Sequence, residues 1–376
     1  MLAPSHDGYL AYSTRSARLH RLNAFASLIV ELCDGSRDRE AIRDIAVPLV
    51  GEDGWPACSA WLDSALSDGL LESVAEGTPA FEPDAAKIAE VALRLREEGE
   101  AETAYVCQFN AAELAPDVVK NWYLLGDVAQ ATGHRDEARN AYERYLALKP
   151  EDAEIAHILI ALRDDPAPAR GSDDYIEYLF DAFAPYYDHN MRDELHYQAP
   201  ELLHAAVAER FAGRTDLSVL DLGCGTGLSG VPFRAIAKRL TGGDLSALMV
   251  EKARERGIYD DLHVAELTAF LGAEAPDAYD LVMACDTFIY FGDLRQVVVP
   301  SARFMAADGL LVYSVEKSEQ YPFRLTDSGR YAHHRDHVTE VAADARLRLL
   351  SLTEATLRFE YGEPVTGLIA VMSRTD

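Results

Sequence analysis

The sequence is short of positive charge. It carries 35 Lys and Arg against 63 Asp and Glu, a formal net charge of −28. A surface this acidic repels phosphate backbones and anionic headgroups, so neither nucleic acid nor a membrane surface is an expected partner. Cysteine is scarce as well. Cys33, Cys58, Cys107, Cys224 and Cys285 are scattered, odd in number, and form no Cys-x-x-Cys pair. That pattern excludes a disulfide framework and a zinc knuckle, and no metal site is expected. Long apolar runs are missing, since no stretch approaches the roughly 18 residues of a membrane span. The opening MLAPSHDGYLAYSTRS has no basic region followed by an apolar run, so no secretory signal is expected. Together these absences predict a soluble, cytoplasmic protein. Its 376 residues and 49% apolar content allow two or three ordinary folded domains.

Punctuation divides the chain into three blocks. EGTPAFEPD (76–84) closes the first and RDDPAPARGSDD (163–174) closes the second, the latter reading as a plain linker. In the first block GYLAYSTRSARLHRLN (8–23) alternates around a Ser-Thr-Arg-Ser turn, which predicts a β-hairpin. Three short helical segments follow: AFASLIVELCDGS, REAIRDIAVPLV and CSAWLDSALSDGLLE. The hairpin end Leu19 to Asn23, the Leu-Cys-Asp-Gly run at 32–35 and the closing Asp68-Gly69-Leu70-Leu71 resemble the PqqD-like family of peptide-recognition domains. That resemblance implies a winged-helix-like unit over 1–80 that binds the leader of a precursor peptide by strand addition. Leu22, Leu28 and Leu32 are expected in its core.

The second block holds an internal repeat. Pro116 and Pro150 lie 34 residues apart, with Ala104 and Ala138 each 12 residues before its proline. Trp122, Leu125, Gly126, Ala138, Tyr142 and Pro150 resemble the tetratricopeptide pattern, and AEIAHILIALRDD reads as a capping helix. Repeats over 83–165 are expected to serve as spacer or docking surface.

The third block, 173–376, carries the chemistry. LSVLDLGCGTGLSG (217–230) reads as a buried strand ending in Asp221, a glycine-rich turn, and the start of a helix. Glycines at 223, 225 and 227 let backbone approach a ligand with no Cβ in the way, and a helix N-terminus offers unpaired N–H groups. The string Asp221-Leu-Gly-Cys-Gly-Thr-Gly227 resembles class I S-adenosylmethionine-dependent methyltransferases. The resemblance implies a doubly wound Rossmann-like sheet with Asp221, Gly223, Cys224, Gly225 and Gly227 at the cofactor, S-adenosyl-L-methionine. RLTGGDLS places Asp244, with Leu245, at the end of a second strand, where a carboxylate suits two ribose hydroxyls. By the same family pattern Glu266 and Leu267 approach the adenine, and Asp286 with Thr287 faces the methionine part. Each of these acids could instead cap the next helix.

Acceptor-side candidates fall in two places. One is an aromatic lid carrying Tyr186, Tyr187, His189 and His196. The other is RLTDSGRYAHHRDHV (324–338), which concentrates Arg330, Tyr331, His333, His334 and His337. Leu-x-x-Ser-Gly-Arg-Tyr-Ala-His, with Phe183-Ala-Pro-Tyr-Tyr-Asp188, resembles bacterial methyltransferases bearing tetratricopeptide repeats. Tyr187, Arg330, Tyr331 and His333 are the expected catalytic set, with Arg330 suited to an anionic acceptor such as a carboxylate or an enolate beside a keto acid. The expected architecture is a multidomain α/β chain: a PqqD-like unit, a short helical stack and a methyltransferase sheet. The expected function is methylation of a ribosomally made (RiPP) precursor peptide at or near an acidic or keto-acid C-terminus. A small-molecule methyltransferase and a non-catalytic peptide-binding scaffold stay open beside it. The sequence leaves the acceptor atom and the oligomeric state open.

Overall fold

The computed structural model describes residues 1–14, 16–74, 83–273, 278–360 and 362–375. The Pro/Gly tract at 76–84 lies mostly outside them. The chain divides into two compact units, Met1–Glu151 and Asp152–Asp376.

In the first unit β1 (Leu2–Ser5), β2 (Gly8–Ser13) and β3 (Arg18–Leu22) form an antiparallel sheet in that order. The expected hairpin is β2–β3, and the N-terminus adds a strand the sequence did not announce. Asn23 accepts from the Ala26 N–H and starts α1 (Ala24–Leu32). Asp38 does the same for α2 (Arg39–Val50), and α3 (Trp55–Ser67) follows. Ile29, Ile42, Ala46 and Leu62 form the core between these helices. Four more helices are α4 (Ala85–Glu97), α5 (Ala101–Leu114), α6 (Val119–Ala131) and α7 (Arg135–Leu148).

The two sheet edges differ. On β1 the Leu2 carbonyl accepts from Asn110 Nδ2 at 2.9 Å and the Pro4 carbonyl from the Tyr105 hydroxyl at 2.8 Å, both from α5. Pro4 also lacks an N–H, so this edge is closed to a further strand. Met1 and Tyr12 exchange both backbone bonds, which turns Tyr9, Ala11 and Ser13 toward β3. Register then leaves the backbone groups of Leu19 and Arg21 pointing outward on β3.

The repeat signature has a packing cause. A Cβ on Gly126 of α6 would lie 2.3 Å from the Tyr142 ring of α7, so only glycine allows the two helices to close. Tyr142 then donates to Gln130 Oε1 at 2.7 Å. All three tryptophans, Trp55, Trp61 and Trp122, lie in the first unit. Gly126→Ala is therefore expected to lower the denaturation midpoint read by tryptophan fluorescence, at a cost of about 1–3 kcal/mol; an unchanged midpoint would contradict this packing.

The second unit opens with α8 (Ala153–Leu162), α9 (Asp173–Phe183), the short α10 (Tyr187–His189), which widens into a π-type turn through Glu194, and α11 (Ala199–Ala208). Then come β4 (Leu217–Leu222), β5 (Ala237–Asp244), α12 (Ala247–Arg256), β6 (Asp261–Val264), α13 (Leu267–Ala273), β7 (Tyr279–Ala284), α14 (Arg295–Ser301) and β8 (Met305–Lys317). The chain ends with β9 (Phe323–Leu325), β10 (Tyr331–His333), α15 (Arg335–Asp344), β11 (Leu347–Glu360) and β12 (Glu363–Arg374). The main sheet runs β11-β12-β8-β7-β4-β5-β6. From β8 to β6 neighbours are parallel, whereas β12 is antiparallel to both β8 and β11. Strand β4 is apolar on both faces, with Leu220 and Leu222 in one core and Leu217 and Val219 in the other. The result is a Rossmann-like fold with a mixed sheet.

Two expectations change here. No regular helix follows the glycine turn; residues 228–236 form successive turns closed by bonds such as Phe233 N–H to Gly230 O at 3.1 Å. Gly230 and the residue before Pro232 both disfavour helix, and β5 begins at Ala237 before one could grow. The segment read as plain linker is also partly structured. Gly171 N–H donates to Tyr290 O at 2.8 Å and Gly292 N–H to Ala169 O at 2.9 Å. Helix α8 belongs to this unit, where His157 stacks on Tyr175 with centroids 4.3 Å apart.

Candidate functional site

The cleft lies at the carboxyl ends of β4, β5 and β7, where an open parallel sheet places its ligands. Gly223, Gly225, Asp244, Leu245, Glu266, Leu267, Asp286 and Tyr187 all line it. Arg170, Gly171, Ile176, Phe180, Cys285, Thr287, Tyr290 and Phe291 also line it.

Hydrogen bonds fix the glycine turn. Gly223 and Cys224 both donate N–H bonds to the Gly243 carbonyl at 2.8 and 3.1 Å, seating the turn on the end of β5. Gly223 has φ +71°, and a Cβ there would lie 2.3 Å from Thr287 Oγ1. Gly225, at φ +54°, would point its Cβ into open space. Asp244 ties the pieces together: Oδ2 accepts from Gly225 N–H and Oδ1 from Ser246 N–H, each at 2.9 Å. Burial pushes its carboxyl above the ordinary range.

Asp221 sits behind the turn and not on the cleft wall. It is fully buried; Oδ2 accepts from Ser229 Oγ at 2.7 Å and the Tyr259 hydroxyl at 2.6 Å, while Oδ1 has no hydrogen-bond partner. Burial raises its pKa to about 6, against the pull of those two bonds. Cys224 and Gly227 are likewise behind the turn, since a Cβ on Gly227 would meet the Tyr259 ring. Glu266 combines the two roles open to it. Oε2 accepts from Ala269 N–H at 2.8 Å, capping α13, and Oε1 accepts from Arg170 at 3.3 Å across the cleft rim.

The aromatic lid is latched over the glycine turn. Asp188 accepts from Thr226 Oγ1 at 2.5 Å and pairs with Arg256, and Asp181 accepts from Ser246 Oγ at 2.5 Å. Tyr187 packs edge-on against Phe183 at 5.4 Å, and Phe180 against Tyr290 at 5.5 Å. Burial raises the Tyr187 phenol well above its usual range and pushes Tyr290 up to about 12.

The basic segment does not present its side chains to the cleft as expected. Tyr331 is fully buried and donates to the Pro168 carbonyl at 2.8 Å. His333 is fully buried, with Nε2 at 2.8 Å from the Phe291 carbonyl, and burial lowers its pKa to about 4. Both are buried because β10 pairs in parallel with the end of β8, at Glu316 and Lys317, and β9 pairs with β10. Arg330 is committed to Glu316, at 2.9 Å, and to Glu360. The partner of that pair is Arg358, which sequence reading missed. Its Nη1 donates to Asp286 Oδ2 at 2.8 Å, Nε to Glu360 Oε1 at 2.8 Å, and Nη2 to Glu316. Asp286 adopts φ +50° and exchanges bonds with Ser314: its N–H donates to Oγ at 2.9 Å, and Oγ donates to Oδ1 at 2.6 Å. A β-bulge between Thr356 and Arg358 breaks the alternation of β11, so that Leu357 and Arg358 are both buried.

Residues 219–309 match the methyltransferase-domain family. Residues 119–162 match the tetratricopeptide-repeat family. Malonyl-[acyl-carrier protein] O-methyltransferase of Acetivibrio thermocellus is 35% identical over 103 residues, covering 27% of this chain and 36% of that protein. The dTDP-4-amino-2,3,4,6-tetradeoxy-D-glucose N,N-dimethyltransferase of Saccharopolyspora spinosa is 29% identical over 158 residues, 40% of this chain and 60% of that one. The chain thus spans 36% and 60% of these two relatives' lengths. Among solved structures, Burkholderia thailandensis 1,6-didemethyltoxoflavin-N1-methyltransferase is 20% identical with a TM-score of 0.42, covering 56% of this chain and 93% of that one. The second unit thus contains the residues, 219–309, that match a methyltransferase domain.

The residues present fit an S-adenosylmethionine-type group. Gly225 leaves open space above backbone, and Asp244 brings a carboxylate to the cleft. Asp221 makes a pH signature. A carboxyl with a folded pKa of about 6 favours the fold while protonated, and that advantage is lost as pH rises from about 4 through about 6. Relative to the natural chain, Asp221→Asn should therefore gain about 1–2 kcal/mol of stability between pH 5 and 7.5. Calorimetry of the second unit's transition checks this, and a difference independent of pH would contradict the burial of an ionised Asp221.

Proposed function

We propose that the chain is an S-adenosylmethionine-dependent methyltransferase acting on a precursor peptide. The observation that carries the catalytic half is Asp244, a half-buried carboxylate at the end of β5 that fixes the glycine turn through Gly225 while facing the cleft within the matched domain. Asp244 would accept from the ribose hydroxyls, Glu266 and Leu267 would flank the adenine, and Gly223 and Gly225 would pass beneath the methionine part. When bound, the sulfonium supplies a methyl group activated for in-line attack. The chain's own part is then to position the acceptor and exclude water, which the latched lid around Tyr187 and Phe180 can do.

The peptide half rests on the first unit. Its PqqD-like resemblance and the open β3 edge at Leu19 and Arg21 support capture of an extended leader by strand addition. The expected anionic acceptor loses its main support, because Arg330 is already paired. A small-molecule acceptor is the second reading, favoured by the aromatic enclosure of the cleft.

Two measurements test the proposal. Asp244→Asn should weaken S-adenosylmethionine binding in calorimetry by about tenfold or more, as expected for losing a charged hydrogen-bonding partner; unchanged affinity would sink the catalytic assignment. Leu19→Pro removes an outward N–H without touching the β2 ladder. It should abolish binding of short peptides co-encoded with the protein while cofactor affinity stays constant, and equal peptide binding by both forms would remove the leader role.

A further inference from the structure

We propose that the methyl acceptor is an amine nitrogen and not a carboxylate or other anion. This rests on the methyltransferase reading of the cleft and narrows its substrate class.

The arginines near the cleft are already committed. Arg358 is 3% exposed and bonds Asp286, Glu316 and Glu360; Arg330 bonds Glu316 and Glu360. Two guanidiniums face three carboxylates, so the cluster behind the cleft keeps one net negative charge. Both Arg330 and Arg358 lie off the cleft wall. Drawing either toward an anionic acceptor would strand a buried carboxylate, which is strongly unfavourable. Among the described residues lining the cleft, Arg170 is the cation, and it is held by Asp173 at 2.7 Å and Glu266 at 3.3 Å. The same wall carries Asp173, Asp244, Glu266 and Asp286. An anion entering here would leave water without gaining an uncommitted cation.

An amine meets the opposite conditions. The bound ammonium first releases one proton to water; as the lone pair so freed forms the new bond to the methyl carbon, the carbon–sulfur pair returns to sulfur and the positive charge moves back to nitrogen, giving the methylated ammonium. Asp286 on the cleft wall, with the net-negative cluster behind it, favours that developing charge. The faces of Phe180, Tyr187 and Tyr290 suit a cationic nitrogen as well. The phenols of Tyr187 and Tyr290 stay un-ionised, so their oxygens can accept an N–H bond without acting as bases. Asp286 is equally unsuited to take a proton, because Arg358 and Ser314 hold its two oxygens.

The test uses the full chain saturated with S-adenosylhomocysteine and two probes of one aromatic body, phenethylamine and 3-phenylpropionate. Calorimetry should show the amine binding tighter by about tenfold, the effect of one well-placed charge contact. Glu360→Gln removes one negative charge from the cluster and should shift the ratio toward the carboxylate by a similar factor. With methyl-labelled S-adenosylmethionine, label transferred to a turned-over acceptor should survive alkali, whereas an ester would release methanol. Tighter binding of the carboxylate, no preference between the probes, or alkali-labile label overturns the inference. Failure of S-adenosylhomocysteine itself to bind would instead bring down the methyltransferase reading on which it stands.

Discussion

Arg358 is the interaction on which the acceptor side of the cleft depends. One guanidinium joins Asp286 beyond the end of β7, Glu316 on β8 and Glu360 on its own strand β11. Through Glu316 and Glu360 it also fixes Arg330 and hence the turn before β10. Arg330 and Arg358 together outweigh the burial of Glu316 and hold its carboxyl below the usual range. The left-handed backbone of Asp286 persists because its carboxylate is anchored on both oxygens. Such a network orders the site at the cost of desolvating five charges, and it leaves no guanidinium free for a ligand.

The cofactor side is built on a different device. Asp244 closes the glycine turn with two backbone bonds, and the lid is stitched down by Asp188 and Asp181. Asp221 is a local liability there. A fully buried carboxyl with one unpartnered oxygen does not stabilise the fold at neutral pH. Its position under a turn open to ligand explains why such a group could be retained: strain and unpaired polarity concentrate where function needs them.

Local chemistry made this half legible in the sequence. The glycine turn and the acids at the ends of β4 and β5 each encode their geometry within a few positions. Long-range pairings were not legible. Arg358 carries no local motif, and only the bulge beside Leu357 turns it inward. His333 and Tyr331 read as a basic-aromatic patch, yet pairing of β10 with β8 buries both. The Ala169–Gly171 stretch looked like a linker because its partners, Tyr290 and Gly292, lie some 120 residues further along.

The most direct test of the central claim is a crystal structure of the full chain with S-adenosylhomocysteine. The nucleoside should lie in the cleft between the glycine turn and Tyr187, with both ribose hydroxyls on the Asp244 carboxylate and the Arg358–Asp286 pair intact. A ligand bound elsewhere, or seated in the cleft with Asp244 out of hydrogen-bond reach, would contradict that claim.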